Sequence, residues 1–263
     1  MMARVSRPGG ETPDGEGSPT GREVDSVDSV NEVTALVLSG GTGSRFHGSY
    51  IPKQFVEIEG KPILAYCLDT YESLPMIDEI ALVINERYEQ LYYDICSTFG
   101  YLKVRRFVPG GATRQESVAH GLDAIEPCEI VVVQDGVRPF SSEKSIVEAI
   151  EAARIYGAAD VVVPTLDTIV EERDGFIVNI PDRTHLRNGH APQTFRYDVL
   201  LRAHEHARAT GTQAATDDAQ LVLANGGQVR AVEGTFEGFK VTTNIDWLFA
   251  QQVLEAHRRG WLG

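Results

Sequence analysis

The sequence predicts an α/β fold in which helices cover a mostly parallel β-sheet. Short apolar runs rich in β-branched residues alternate along the chain with segments of helical periodicity, which is typical of repeated strand–helix units. Some of these runs, such as "EIVVVQD" at 129–135, are apolar almost throughout, as expected for strands buried on both faces. A length of 263 residues also favours one large α/β domain over two small ones.

The predicted elements follow one another from residue 33 to residue 259. Strands are expected at 33–38, 79–85, 103–109, 129–135, 159–166, 228–234 and 239–243. Helices are expected at 63–73, 87–100, 113–125, 142–157, 196–210, 217–226 and 244–259, the last capped by Asn244. Residues 167–180 break this rhythm, because two short alternating runs flank Arg173-Asp174-Gly175, and we expect a β-hairpin arm there, spanning about 164–185.

Composition narrows the classes of function. The net charge of −14 argues against a nucleic-acid backbone as partner, and no run of about 18 apolar residues is present to span a membrane. Residues 1–31 are rich in Gly, Pro, Ser and acidic residues, so we expect a disordered tail before a domain at 32–263, with a misassigned start site or residual tag as the alternative. Three widely spaced cysteines among apolar neighbours indicate buried thiols and a cytoplasmic protein.

A glycine-rich loop, "SGGTGSR", follows the first predicted strand. It is neither a Walker loop nor a dinucleotide fingerprint, since GK[ST] is missing and Phe46 stands where the third glycine belongs. By itself the loop is compatible with a tight turn or with a phosphate site made of backbone N–H groups. Arg45 and Lys53, which flank the loop, favour a triphosphate site.

Three further segments carry charged residues at places where ligands bind in α/β folds. Asp135 ends the strand "VVVQD", where it could bind Mg²⁺ or cap the next turn. Arg138 could form an ion pair with Asp135 or contact a second phosphate. Lys240 lies in the predicted strand "FKVTT", where it either faces water or neutralises charge at a phosphorus centre. The segment "GGATRQESV" brings a second pair of glycines that could approach a base.

Seven segments, taken in order, resemble one family from about Val33 to Leu254. They are "GGTGSRF…PKQF", "GGATRQESV", "QDGVRPF", "LDTIVE", "IPDR…APQTF", "TDDAQLV" and "FKVTT". The family is that of the cytidylyltransferases acting on 2-C-methyl-D-erythritol 4-phosphate or ribitol 5-phosphate. The resemblance implies a Rossmann-like nucleotidyltransferase fold, CTP as donor, Mg²⁺ as cofactor, and transfer of CMP to a polyol phosphate.

The resemblance also implies roles for individual positions. Arg45, Lys53 and Lys240 would be catalytic. The nucleotide would be bound by Gly41, Gly43, Gly111, Ser117, Asp135 and Arg138, with Asp135 also serving the metal. The acceptor would be bound by Thr168, Arg183, Thr216 and Asp217. Because Thr168 and Arg183 lie on the arm, which in the family reaches into a neighbouring subunit, a homodimer is implied.

The sequence departs from the erythritol-type pattern in four places. Ser-Gly-Gly precedes the loop, Gln134 precedes the aspartate, Ala191 replaces a threonine, and Gly238-Phe239 precede the lysine. The loop start, "VRPF" and the "IP-R-H" spacing look closer to the ribitol-phosphate branch, so we expect ribitol 5-phosphate as acceptor. The alternatives are 2-C-methyl-D-erythritol 4-phosphate, or a nucleotide-binding relative without catalytic activity. Retention of Arg45, Lys53, Asp135 and Lys240 argues against the non-catalytic alternative.

Overall fold

The computed structural model describes residues 32–42, 51–212 and 215–262. Its strands are β1 Val33–Leu38, β2 Glu57–Ile58, β3 Lys61–Pro62, β4 Glu79–Ile84, β5 Val104–Pro109, β6 Ile130–Asp135, β7 Ala158–Pro164, β8 Glu171–Arg173, β9 Phe176–Asn179, β10 Arg187–Arg196 and β11 Arg230–Glu233. Its α-helices are α1 Ile63–Ser73, α2 Glu89–Phe99, α3 Arg114–Ala124, α4 Glu143–Tyr156, α5 Tyr197–Thr210, α6 Asp218–Ala224 and α7 Asn244–Arg258. The predicted tail lies outside the described residues, so its division from the domain stays a prediction.

Seven strands form the central sheet, in the order β11-β7-β10-β6-β1-β4-β5. The neighbouring strands run parallel except at β10, which pairs antiparallel with both β6 and β7. Buried apolar side chains cover both faces of the sheet, with α1, α2 and α4 packed on one face and α3, α5 and α6 on the other. The predicted α/β class and the mostly parallel sheet are therefore confirmed.

The arm is a short antiparallel hairpin formed by β8 and β9. It turns at Asp174 and Gly175, both of which have positive φ angles, as the Asp-Gly signal predicted. All seven residues of the two strands are exposed. The hairpin therefore projects from the sheet and does not pack on it.

Strand β10 was not predicted. Gly189 and Pro192 interrupt any alternation along it, and the register with β7 shifts between Gly189 and Gln193. The strand nevertheless sits in the middle of the sheet, where Phe195 is fully buried. Its position depends on pairing with β6 and β7, which are far away in sequence.

Two predictions near the C-terminus are wrong in detail. Residues 239–243, expected as a strand, form an irregular segment between a one-turn 3-10 helix at Phe236–Gly238 and α7. The cap of α7 is Thr243 and not Asn244: the Thr243 hydroxyl accepts the Asp246 N–H, and the Asp246 side chain reaches back in a capping box. Among the described residues, no helix is both long and apolar enough to cross a membrane.

The three cysteines are free thiols, but only Cys67 is buried as expected, whereas Cys96 and Cys128 are half-buried. Cys67 is buried, and burial raises the pKa of its thiol to about 12. A thiol with so high a pKa is hardly ever ionised near neutral pH and is a poor nucleophile.

Asp160 on β7 carries a carboxyl group that is largely shielded from solvent. Its Oδ2 accepts a hydrogen bond of 3.1 Å from Gln193 Nε2, and its Oδ1 is buried without a hydrogen-bond partner among the described residues. Burial, with a further contribution from Asp217, raises the pKa of Asp160 to about 7. Between about pH 4 and pH 7 the unfolded chain therefore loses this proton while the folded chain keeps it, so Asp160 lowers stability as the pH rises through that window.

We predict that Asp160→Asn becomes more stabilising, relative to wild type, as the pH rises from 5 to 8. The difference in the free energy of unfolding between the variant and wild type should widen by about 1–3 kcal/mol over the whole range. This is less than the change of about 1.4 kcal/mol for each pH unit that a difference of one bound proton would give. Urea denaturation at both pH values measures it. Asp123→Asn, which removes an exposed carboxylate on α3, is the matched control, and its difference from wild type should change less than that of Asp160→Asn. A constant difference for Asp160→Asn would contradict the prediction.

Candidate active site

A pocket of about 810 Å³ lies at the carboxyl ends of the parallel strands. Leu38 at the end of β1 pairs with Val83 on β4 and with Asp135 on β6, so these strands end side by side. The segments that follow β1, β4, β5 and β6 line the pocket. Ligands bind at this edge in open α/β sheets, and the volume suits a nucleotide.

The pocket is locally positive although the chain carries a net charge of −14. Its charged lining residues are the cations Lys53, Arg87, Arg114 and Lys240 and the carboxylates Glu86 and Asp135. The excess of cations makes the pocket attractive to a polyanion. Overall charge therefore says little about this site.

The start of the glycine-rich loop is fixed by side chains that lie beneath it. Gln54 Nε2 donates to the carbonyl oxygens of Ser39 and Gly41, at 2.8 and 2.9 Å, and the Tyr92 hydroxyl donates to Ser39 O at 2.6 Å. A Cβ on Gly40 would lie 3.3 Å from Ile84 O, so a side chain would crowd the end of β4. Gly41 lines the pocket, whereas Gly43 and Arg45 lie outside the described residues.

The second glycine pair also reaches the pocket. Gly111 N–H donates to Ser117 Oγ at 3.0 Å, and the hydroxyl of Ser117 donates to Thr113 O at 2.9 Å. Thr113 caps α3 by accepting the Glu116 N–H. Gly111 and Ser117 both line the pocket, and their assignment to the nucleotide stays a prediction.

Asp135 is surrounded by cations at the centre of the site. Its Oδ2 lies 3.1 Å from Arg138 Nε and 3.0 Å from Lys240 Nζ, and its Oδ1 lies 4.0 Å from Arg114 Nε. Burial raises the pKa of Asp135, but the charges of Lys240, Arg138 and Arg114 outweigh the burial and hold the pKa well below its ordinary range. Asp135 is therefore a carboxylate at any physiological pH.

Lys240 reaches Asp135 without belonging to a strand. Val241 N–H donates to Val137 O at 2.9 Å, and Arg138 Nη1 donates to Gly238 O at 2.8 Å, so two bonds tie the irregular segment to the loop after β6. Arg138 therefore pairs with Asp135 and holds this segment in place. Pairing with Asp135 was one of the two roles that the sequence allowed, the other being contact with a second phosphate. Arg138 is not among the residues that line the pocket.

Lys53 is the first residue of a one-turn 3-10 helix, Lys53–Phe55, and it lines the same pocket as Lys240 and Asp135. Gln54, the next residue, is the side chain that holds the glycine-rich loop. The "PKQ" segment therefore supplies a pocket cation and a loop anchor from adjacent positions.

The four residues assigned to the acceptor do not line this pocket. Thr168 is exposed at the base of the arm, and Arg183 donates to Leu166 O at 2.9 Å. Thr216 is exposed, and Asp217 caps α6 by accepting the Gln220 N–H. The structure therefore brings four of the predicted nucleotide residues together at the pocket, namely Gly41, Gly111, Ser117 and Asp135, and leaves the four predicted acceptor residues outside its lining.

A charged group next to Asp135 was not predicted from the sequence. Arg114, the first residue of α3, forms an ion pair of 2.5 Å with Asp218 at the start of α6. Asp218 Oδ1 lies 2.9 Å from His204 Nε2, and both side chains are only 1% exposed. Arg114 and Asp218 each stood inside a quoted motif, but His204 lies within an ordinary helical pattern and gave no signal.

The comparisons with known proteins agree with this geometry. A family model described as 2-C-methyl-D-erythritol 4-phosphate cytidylyltransferase matches residues 33–256. The chain belongs to this family. The match spans nearly all the described residues, and the chain is a cytidylyltransferase and thus an enzyme, which removes the non-catalytic alternative.

Curated relatives and a solved structure match most of the chain. The chain is 40% identical over 230 residues to the 2-C-methyl-D-erythritol 4-phosphate cytidylyltransferase of Geotalea uraniireducens, covering 85% of this chain and 97% of that protein. It is 33% identical over 237 residues to that of Alkaliphilus oremlandii, covering 89% and 100%. The crystal structure of 4-diphosphocytidyl-2C-methyl-D-erythritol synthase from Anaerococcus prevotii superposes with a TM-score of 0.76 at 30% identity, covering 86% of this chain and 96% of that one.

We predict that Lys53→Ala lowers turnover more than about a hundredfold, the loss typical of one preorganised donor at developing charge. The steady-state rate of pyrophosphate release from CTP measures it. Lys144→Ala removes an exposed lysine from α4 and should change the rate less than about twofold. A Lys53→Ala enzyme that keeps most of its kcat would remove Lys53 from the mechanism.

Proposed function

We propose that this enzyme transfers CMP from CTP to 2-C-methyl-D-erythritol 4-phosphate, releasing pyrophosphate. The observation that carries the proposal is the pocket lined by Lys53, Arg114, Lys240 and the ionised Asp135, in a chain whose relatives bear that enzyme's name. This replaces the sequence-based preference for ribitol 5-phosphate. That preference rested on short segments such as the loop start, whereas the named relatives match more than four-fifths of the chain.

The reaction needs little from the protein beyond position and charge. A phosphate oxygen of the acceptor attacks the α-phosphorus of CTP, a new P–O bond forms, and the bond to the bridging oxygen of pyrophosphate breaks. The attacking oxygen is already anionic, so no general base is required. Lys53 and Lys240, with Arg45 as the resemblance implies, balance the charge that grows on the α-phosphoryl oxygens.

A magnesium ion fits the donors that are present. The described residues contain no group of three or more metal-ligating side chains. Mg²⁺ nevertheless needs few protein ligands when substrate phosphates and water supply the rest. The Oδ1 atom of the ionised Asp135 accepts no hydrogen bond from the described residues and is suited to such a role. Bound there, Mg²⁺ would neutralise triphosphate charge and hold the leaving group.

Acceptor choice is tested by presenting CTP with 2-C-methyl-D-erythritol 4-phosphate, with ribitol 5-phosphate, or with no acceptor. We expect kcat/KM for the erythritol phosphate to be at least about tenfold higher, because hydroxyl-matched sites discriminate strongly between polyols. The rate of pyrophosphate release measures kcat/KM for each acceptor. The Lys53→Ala protein, prepared in the same way, shows how much of that rate comes from contaminating enzymes. A higher kcat/KM for ribitol 5-phosphate would favour the acceptor expected from the sequence. If neither acceptor supported pyrophosphate release, the proposal would be contradicted.

We also propose that the arm reaches the pocket of a second copy of the chain. Thr168 and Arg183, assigned to the acceptor, do not line the pocket described above. The arm and its flanks expose an unusual number of large apolar side chains, namely Leu166, Phe176, Ile177, Val178 and Ile180, each more than half exposed. Such a patch is typical of a surface that another protein covers.

The arm proposal predicts that Phe176→Asp produces a monomer with reduced activity, because a charge on the covered face opposes association. Sedimentation velocity at micromolar concentration measures the oligomeric state, with wild type expected as a dimer. Leu102→Asp is the matched control, since Leu102 is exposed but follows α2, away from the arm. A monomeric wild type, or a dimeric Phe176→Asp protein, would contradict the proposal.

A further inference from the structure

Asp218 is a buried carboxylate with two basic partners. Arg114 Nη1 lies 2.5 Å from its Oδ2, and His204 Nε2 lies 2.9 Å from its Oδ1. Its backbone N–H is also fixed, by a bond of 2.9 Å to Gln193 Oε1 on β10. Burial raises the pKa of Asp218, but the His204 hydrogen bond and the charge of Arg114 outweigh the burial and lower the pKa overall. Asp218 is thus a rigid, ionised anchor.

Arg114 reaches from this anchor toward Asp135 but stops short of it. The distance from Arg114 Nε to Asp135 Oδ1 is 4.0 Å, longer than a hydrogen bond. Arginine pairs with carboxylates most strongly through two parallel N–H donors. Because Nη1 is bonded to Asp218, a movement of the guanidinium toward Asp135 would weaken that ion pair.

The other cations of the cluster use the opposite oxygen of Asp135. Arg138 donates to Oδ2, and Lys240 lies 3.0 Å from the same atom. No described residue donates a hydrogen bond to Oδ1, and Asp135 and Arg114 both line the pocket. Oδ1 is therefore open to a ligand only as long as Arg114 stays back.

We propose that Asp218, supported by His204, is a positioning residue that holds Arg114 away from Asp135 Oδ1 and so keeps that oxygen open to the magnesium–nucleotide complex. The inference rests on the proposed function, since it takes CTP with Mg²⁺ as the ligand. Asp218 itself does not line the pocket. Asp218 contacts Arg114 directly and affects Asp135 Oδ1 only through the position of Arg114.

Direct binding of CTP, with Mg²⁺ and with EDTA, tests the proposal by calorimetry without any turnover. In Asp218→Asn the freed Arg114 pairs with Asp135. The ratio of the two dissociation constants, which measures how much Mg²⁺ strengthens binding, should then fall about tenfold or more. In Asp218→Asn/Arg114→Gln no guanidinium competes, and the ratio should return to within about threefold of that of Arg114→Gln. Asp218→Glu, which keeps the charge, should stay within about threefold of wild type.

These outcomes separate positioning from simple electrostatics or stability. Loss of a negative charge alone would strengthen CTP binding equally with and without Mg²⁺, and a merely structural Asp218 would lower stability without changing the ratio. Either result overturns the proposal, as does a double variant no better than Asp218→Asn. In a crystal structure of ligand-free Asp218→Asn, the distance from Arg114 Nε to Asp135 Oδ1 should shorten to about 2.9 Å.

A substitute variant and the wild-type protein serve as further controls. If Asp218→Asn does not unfold cooperatively, His204→Gln replaces it, with a smaller loss of the ratio expected in the same direction and relieved by Arg114→Gln. An unchanged ratio in His204→Gln then overturns the proposal. A wild-type protein that binds no CTP with Mg²⁺ contradicts the proposed function as well, whereas a binding wild type without the predicted pattern contradicts this inference alone.

Discussion

The site depends on one buried carboxylate that must remain ionised. Asp135 lies at the end of the central strand β6 with its side chain only 14% exposed, and a carboxylate there is stable only if cations compensate its charge. Lys240, Arg138 and Arg114 do so from three separate parts of the chain. Two of these cations, Lys240 and Arg114, also line the pocket, so the requirement that stabilises Asp135 contributes to the positive charge that suits the site to a triphosphate.

Secondary structure brings these groups together because parallel strands end at one edge. The register of β1 with β4 and β6 aligns the loops that follow them, and the side chains of Gln54 and Tyr92 fix the first loop from below. The segment that carries Lys240 is irregular, yet its bonds to residues 137 and 138 hold it over Asp135. Preorganisation of this kind lets charged groups act without rearranging during the reaction.

A second layer of charge lies behind the first. Arg114 joins Asp135 to Asp218 and His204, and Asp218 joins the start of α6 to β10 through Gln193. Thr216 and Asp217 immediately precede Asp218, so the segment assigned to the acceptor is bonded to the group that borders the nucleotide pocket. If Thr216 and Asp217 bind the acceptor, as the resemblance implies, acceptor and nucleotide binding would share this structural element, although Thr216 and Asp217 do not line the pocket.

The sequence by itself determined the α/β class, most helix and strand positions, the arm, and the family, because these depend on local periodicity and on short ordered motifs. It also identified Lys53, Asp135 and Lys240 as a group. Only the tertiary structure placed β10 inside the sheet, moved Lys240 out of a strand, and paired Asp218 with Arg114 and His204. These features depend on contacts between residues up to about a hundred positions apart, and no local pattern encodes such contacts.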